Sequence, residues 1–290
     1  MTVSTTLTTS TNYSTAEHTM QYDPIKKSLG SFIGNSRMLR RVFYLLLDLL
    51  LLRSWHVRRL LRRVSVSLPQ DAEVLDAGTG FGQYSYRMAV MNRSWKITAI
   101  DIDDDHVSML SKFIASVNLA SRVKVMAGDL VKLNQQNKFD LILSVDVMEH
   151  IEEDSLVFRN FFEALKPGGI LVISTPSDKG GSDVHGHGDT SFIDEHVRDG
   201  YNREALTETL KKTGFNEVSA SYTYGKPGSA AWKLSMKYPV KLISLSGIFW
   251  VILPLYYLVV MPFALTLNML DVSISHESGT GLIIKAVKNR

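Results

Sequence analysis

Three groups of residues have types and spacings that can do chemistry. The first is Asp76-Ala77-Gly78-Thr79-Gly80-Phe81-Gly82, an acid followed by three glycines at alternate positions. Glycines let a backbone come close to a ligand, and the free amides at a following helix start favour a polar or negative group, so this turn suits a nucleotide. The second is Asp146-Val147-Met148-Glu149-His150. If that stretch is helical, Asp146, Glu149 and His150 stand at i, i+3 and i+4 on one face. The third lies between Ser177 and Gly200, where His185, His187, His196 and Arg198 accompany several glycines. A glycine-rich loop can close over a substrate, and histidine is the side chain best placed to take a proton near neutral pH. The chain has no cysteine, which excludes a disulfide framework, a thiolate metal site and a cysteine nucleophile. Its net charge of +3 over 290 residues makes no broad electrostatic case for nucleic acid.

The elements that must position these groups follow from the pattern of apolar runs. Strands are expected at 73–77, 96–101, 122–126, 139–144, 169–175, 217–224 and 282–287, and helices at 84–91, 105–117, 154–165 and 203–213. Strands alternating with helices over this length predict an α/β domain with a mostly parallel sheet covered on both faces, whose ligands bind beyond the carboxyl ends of the strands.

Two apolar segments flank that domain. Residues 37–64 carry the run Val42 to Leu52, interrupted by Asp48 and followed by Arg53, Arg58, Arg59, Arg62 and Arg63. Read as one helix, this segment either packs on the domain or lies on an anionic membrane surface; its apolar run is about half of the ~20 residues that span a bilayer. Residues 247–270 are almost wholly apolar and as a helix would reach roughly 36 Å, enough to cross. One crossing cannot return the chain to a sheet that it has left, and Pro254 and Pro262 interrupt a helix, so a monotopic or re-entrant segment is favoured over a single span. An apolar cap that shelters a lipophilic substrate is the third reading. The organisation expected is a Ser/Thr-rich disordered tail over 1–22, a basic and apolar helical segment over 23–67, a catalytic domain over 68–225 with 280–290, and the insert 226–279.

The glycine loop, the acid Asp101 ending the second strand, Gly128-Asp129-Leu130 after the third and Leu165-Lys166-Pro167-Gly168-Gly169 before the fifth together resemble the class I S-adenosylmethionine-dependent methyltransferases, over about 68–215 and the final strand. The resemblance implies a Rossmann-like, seven-stranded sheet and S-adenosylmethionine as cofactor. It implies that Gly78, Gly80 and Gly82 approach the methionine part, with Asp76 contacting it directly or through water, and that Asp101 accepts both ribose hydroxyls. Ile102 and Leu130 would sandwich the adenine, and Asp129 would accept from its amino group. A nicotinamide dehydrogenase spaces its glycines G-x-G-x-x-G, unlike the alternation here. The Glu149-His150 pair resembles the quinone-pathway O-methyltransferases and the type 11 small-molecule branch. A few relatives hold a divalent metal on such an acid-x-x-Glu-His set, which makes Asp146, Glu149 and His150, completed by a distant histidine, candidate ligands.

The expectation is therefore methyl transfer to a small lipophilic acceptor, most simply O-methylation of a phenol or quinone precursor, lipid or polyketide. His150 or His196 would serve as base with Glu149 beside it, and His185, His187 and Arg198 would contact substrate. The catalytic domain is expected to be cytoplasmic and membrane-associated, with no nucleic acid partner. The alternatives are a non-catalytic cofactor-binding subunit of a membrane-bound complex and a protein or nucleic acid methyltransferase.

Overall fold

The computed structural model describes residues 36–180, 197–246 and 249–289. The Ser/Thr-rich tail and His185, His187 and His196 lie outside the described residues.

Seven strands form one sheet: β1 (Glu73–Ala77), β2 (Lys96–Asp101), β3 (Val123–Ala127), β4 (Phe139–Val145), β5 (Leu165–Pro176), β6 (Phe215–Thr223) and β7 (Gly281–Lys288), in the order β3-β2-β1-β4-β5-β7-β6. Pairs among the first five are parallel, and β7 runs antiparallel between β5 and β6. Continuous burial along β1 and β4 is what a parallel strand covered on both faces requires. Two apolar layers cover it, one around Phe139, Phe158 and Phe161, the other around Leu61, Met88 and Trp95. The fold is the Rossmann-like α/β architecture expected. The fifth strand, expected to begin at Gly169, begins at Leu165, with a register irregularity opposite Phe139 and Leu141.

The helices in chain order are α1 (Arg37–Leu50), α2 (Leu52–Ser65), α3 (Gln83–Met91), α4 (Asp104–Ser116), α5 (Asp154–Ala164), α6 (Arg203–Thr213), α7 (Lys226–Trp232), α8 (Tyr238–Leu245) and α9 (Phe249–Ser273). The N-terminal segment is thus two helices, broken at Leu51 in extended conformation. The break lets each helix present a different face: α1 buries Arg40, Tyr44 and Asp48, whereas α2 buries Leu52, Val57, Leu61 and Val64.

A π turn (Lys233–Lys237) joins α7 to α8. There the Tyr238 N–H reaches back to the Lys233 carbonyl, and Pro239 has no N–H for Ser235. Two hydroxyls from α9 serve the carbonyls so displaced: Tyr256 donates to Leu234 at 2.7 Å and Tyr257 to Ser235 at 3.0 Å. At its other end α9 buries Asp271, which accepts from His56 of α2 at 2.8 Å and from the Gly228 N–H at 2.9 Å. α9 runs unbroken through Pro254 and Pro262, where an interruption was expected, and within it the stretch Val251–Ser273, of mean hydropathy 1.8 over its most apolar window, is long and apolar enough to cross a membrane.

Candidate active site

β1 delivers the glycine turn to the carboxyl edge of the sheet. Gly78, Gly80 and Gly82 all take left-handed backbone angles, which a side chain would resist. Their surroundings differ. A Cβ on Gly78 would strike Val147 at 2.3 Å and one on Gly82 would strike Leu110 at 2.1 Å, whereas Gly80 faces open space. Gly80 is the position where a ligand can approach the backbone.

Asp76 lies behind this turn, 2% exposed, accepting from Thr79 at 2.8 Å and Ser85 at 2.6 Å. Burial pushes its carboxyl up to about 6 against those two donors. Asp101 closes β2. Its Oδ2 accepts from the Gly80 N–H at 2.6 Å and its Oδ1 from the Asp103 N–H at 3.0 Å. Burial opposes its ionisation, but His106 and these two amides outweigh burial and hold it below the ordinary carboxylate range. A carboxylate oxygen offers two lone pairs; Oδ2, which accepts from Gly80, keeps one for a ribose hydroxyl, while Oδ1 faces both the Asp103 N–H and, at 3.6 Å, His106 Nδ1.

Ile102 is 65% exposed beside Asp101, while Leu130 is buried in the core. Asp129 accepts from the Val131 N–H at 2.9 Å and starts a 3-10 turn that Asn160 holds through the Leu130 and Val131 carbonyls. The open Gly80, the ionised Asp101 and the exposed Ile102 fit a nucleoside bearing a ribose and a flat base.

The second group does not form the expected shared face. Asp146 takes a left-handed angle and pairs with Arg53, and only Met148–His150 is helical, as one 3-10 turn. Glu149 points inward, 1% exposed, accepting from Thr175 at 3.0 Å, with burial raising its carboxyl; His150 is exposed. A turn of three residues cannot align side chains at i, i+3 and i+4. Among the described residues no cluster of three or more His, Asp or Glu is arranged to hold a metal ion.

Arg198 sits under this turn. It pairs with Asp154 and donates to Tyr201 at 2.7 Å and to the Ile151 carbonyl at 2.7 Å, while the Tyr201 hydroxyl donates to the Met148 carbonyl at 2.9 Å. Its guanidinium is occupied in fixing the Met148–Ile151 backbone, a positioning geometry where a substrate contact was expected.

The residues that sequence reasoning passed over lie on α1. Arg40 donates to the Phe81 carbonyl at 3.0 Å and the Met109 carbonyl at 2.9 Å, and Tyr44 donates to the same Phe81 oxygen. Asp48 accepts from Gln83 at 2.7 Å and pairs with Arg87. The signal was present: a cation, a phenol and an acid at spacing four in a mostly apolar helix mark a polar inner face.

A glycine turn at the first strand, an acid ending the second and an antiparallel β7 inserted beside β5 define the class I S-adenosylmethionine-dependent methyltransferase fold. Residues 69–225, more than half of the chain, match the family model described as a methyltransferase domain. The chain belongs to that family and has its class I S-adenosylmethionine-dependent methyltransferase fold.

It is 30% identical over 155 residues to a phosphoethanolamine N-methyltransferase of Triticum aestivum, covering 53% of this chain and 30% of that protein. It is 26% identical over 105 residues to a ubiquinone biosynthesis O-methyltransferase of Rickettsia bellii, covering 36% and 42%. The structure resembles that of Haemonchus contortus phosphoethanolamine N-methyltransferase 2 bound to phosphomonomethylethanolamine and S-adenosylhomocysteine, with a TM-score of 0.55 at 20% identity over 81% of this chain and 53% of that one. The chain thus spans less than half the length of these curated relatives. N- and O-methyltransferases both appear among them, so membership does not single out the quinone-pathway branch.

Proposed function

We propose that the chain transfers the methyl group of S-adenosylmethionine to the oxygen of a small lipophilic acceptor held at a membrane surface. The observation that carries this reading is the mooring of the apolar insert beside the site. On α2, Arg53 pairs with Asp146 at the end of β4, and one turn on His56 binds Asp271 of α9. An acceptor partitioned into the apolar surface of α9 therefore lies near the edge at which Gly80 and Asp101 open.

When bound, the cofactor supplies an electrophilic methyl whose sulfonium becomes a neutral sulfide as the acceptor oxygen takes the carbon. The protein's part is to hold acceptor and methyl in line, which supplies much of the rate. His150, exposed at the same edge, takes the acceptor proton; such a base contributes typically ~10²–10⁴-fold. Glu149 beneath it and the Arg198 network set the turn that presents His150. His196 is the second candidate base, and we assign His185 and His187, which follow β5 in the sequence, to the substrate. Asp146 and Glu149 are directed to separate partners, Arg53 and Thr175, and do not converge as a ligand pair for a divalent metal.

Association with the membrane is read as re-entrant, with the domain on the cytoplasmic side. In support, β6 and β7 pair in one sheet on either side of the insert, so the chain must return to the side it leaves. Hydrocarbon tolerates irregular backbone only where its freed polar groups are served, as Tyr256 and Tyr257 of α9 serve the Leu234 and Ser235 carbonyls of the π turn. A second reading, suggested by the phosphoethanolamine N-methyltransferase relatives, is N-methylation of an aminoalkyl phosphate headgroup. Transfer of labelled methyl into a lipid extract of the native cell, with identification of the product, decides between them. An O-methyl ether is the expected product; a methylated amine would move the assignment to the second reading, and no incorporation would refute both.

A further inference from the structure

α1 is amphipathic with its faces reversed. Its inner face is polar: Arg40, Tyr44 and Asp48 are at most 5% exposed and hold the cofactor turn. Its outer face is apolar, with Met38, Leu39, Val42, Leu45, Leu46 and Leu49 between 39 and 76% exposed. A helix that buries charge and exposes leucine is stable where an apolar medium covers its outside. α2 ties this helix to a second apolar surface on α9: the Trp55 indole donates to the Leu49 carbonyl at 3.0 Å, His56 holds Asp271, and Val251, Leu255, Leu258 and Phe263 of α9 are 65 to 80% exposed.

The occupant that fits is a bilayer with anionic headgroups. Arg37 and Arg41 of α1 and Arg62 and Arg63 of α2 are exposed on the helices that bear or adjoin the apolar face, as are Lys233 and Lys241 on the segment packed against α9. Cations of that kind meet anionic lipid at the level where an apolar helix face enters the acyl boundary.

The inner face makes the contact consequential. Phe81, whose carbonyl accepts from both Arg40 and Tyr44, stands between Gly80 and Gly82, and Gln83, held by Asp48, begins α3. α1 therefore grips the cofactor turn from one side and offers leucines on the other. We infer that α1 is a two-sided coupling element: contact of its outer face with an anionic bilayer tightens the cofactor turn and raises affinity for the cofactor. By linkage, cofactor strengthens membrane partition by the same factor. This inference rests on the membrane reading above, and its test separates the two.

The purified full chain, kept in solution by dilute detergent, is titrated with S-adenosylhomocysteine alone and with phosphatidylcholine vesicles containing phosphatidylglycerol. Vesicle co-sedimentation is measured in parallel with and without that ligand. Vesicles are expected to tighten binding about tenfold, within the ~5–150-fold usual for coupled sites, and ligand to raise sedimentation in the same ratio. Leu45→Glu/Leu46→Glu, which alters only exposed residues, is expected to keep the vesicle-free affinity and lose the increment. Sedimentation with unchanged ligand affinity would overturn the coupling and leave the membrane reading standing. Failure to sediment would overturn both. A dimer abolished by the double substitution, with no vesicle binding, would assign the face to a second copy and likewise overturn the inference.

Discussion

Replacing Asp76 by Asn tests the electrostatics behind the glycine turn. Burial raises the Asp76 carboxyl from 3.8 to about 6 in the folded chain. A carboxyl raised by folding binds its proton more tightly in the native state, so its contribution falls as pH rises from the unfolded value through the folded one and is constant above. At 1.36 kcal/mol per unit the full loss is about 3 kcal/mol, of which about 2 kcal/mol falls between roughly pH 4.5 and 7.5. Asn has no such proton, and its amide oxygen can accept from Thr79 and Ser85 as the carboxylate does. The difference in unfolding free energy between Asp76→Asn and the unaltered chain, from urea titrations in detergent, is expected to move by about 2 kcal/mol in favour of Asn over that interval. A difference independent of pH would refute the reasoning. The same substitution is expected to weaken S-adenosylhomocysteine binding, a case of stability gained where function needs a costly charge.

The glycines should separate by site. Gly82→Ala meets Leu110 at a positive φ and should lose about 2–4 kcal/mol in thermal melts, whereas Gly80→Ala, facing open space, should lose ~1–2 kcal/mol yet bind S-adenosylhomocysteine at least tenfold more weakly. Tyr257→Phe should destabilise the insert by ~1–3 kcal/mol, read by protease resistance in detergent, because the Ser235 carbonyl loses its donor. Adding Pro239→Ala should restore resistance by returning an N–H. Exhaustive EDTA treatment should leave methyl transfer unchanged; a loss restored by Mg²⁺, Mn²⁺ or Zn²⁺ would return Asp146, Glu149 and His150 to the role of ligands.

The alternation of strands and helices was legible because β1, β2, β4 and the body of β5 are short apolar runs, and each described helix of the domain starts within two residues of its expected position. The glycine turn and Asp101 were legible as a pair because local backbone chemistry demands those residue types. The Glu149-His150 reading was less secure for a physical reason: spacing alone does not say whether a segment is helical, and the left-handed Asp146 ends the regularity before it begins. The break at Leu51 carries no Gly or Pro. It is set by a change in what the two helices face, a tertiary cause with only the Arg40, Tyr44 and Asp48 spacing as its trace.

The placement of β7 orders events during synthesis. β7 hydrogen-bonds β5 on one side and β6 on the other, so until it has been made β6 lacks its neighbour and the edge of β5 is open. The apolar helices of residues 226–273 precede it from the ribosome, at roughly 5–20 residues per second. On the membrane reading proposed above, these helices reach a bilayer while the sheet is still incomplete. Chains whose insert does not find lipid must hold both an unpaired strand edge and an uncovered apolar surface in water, the combination that leads to aggregation.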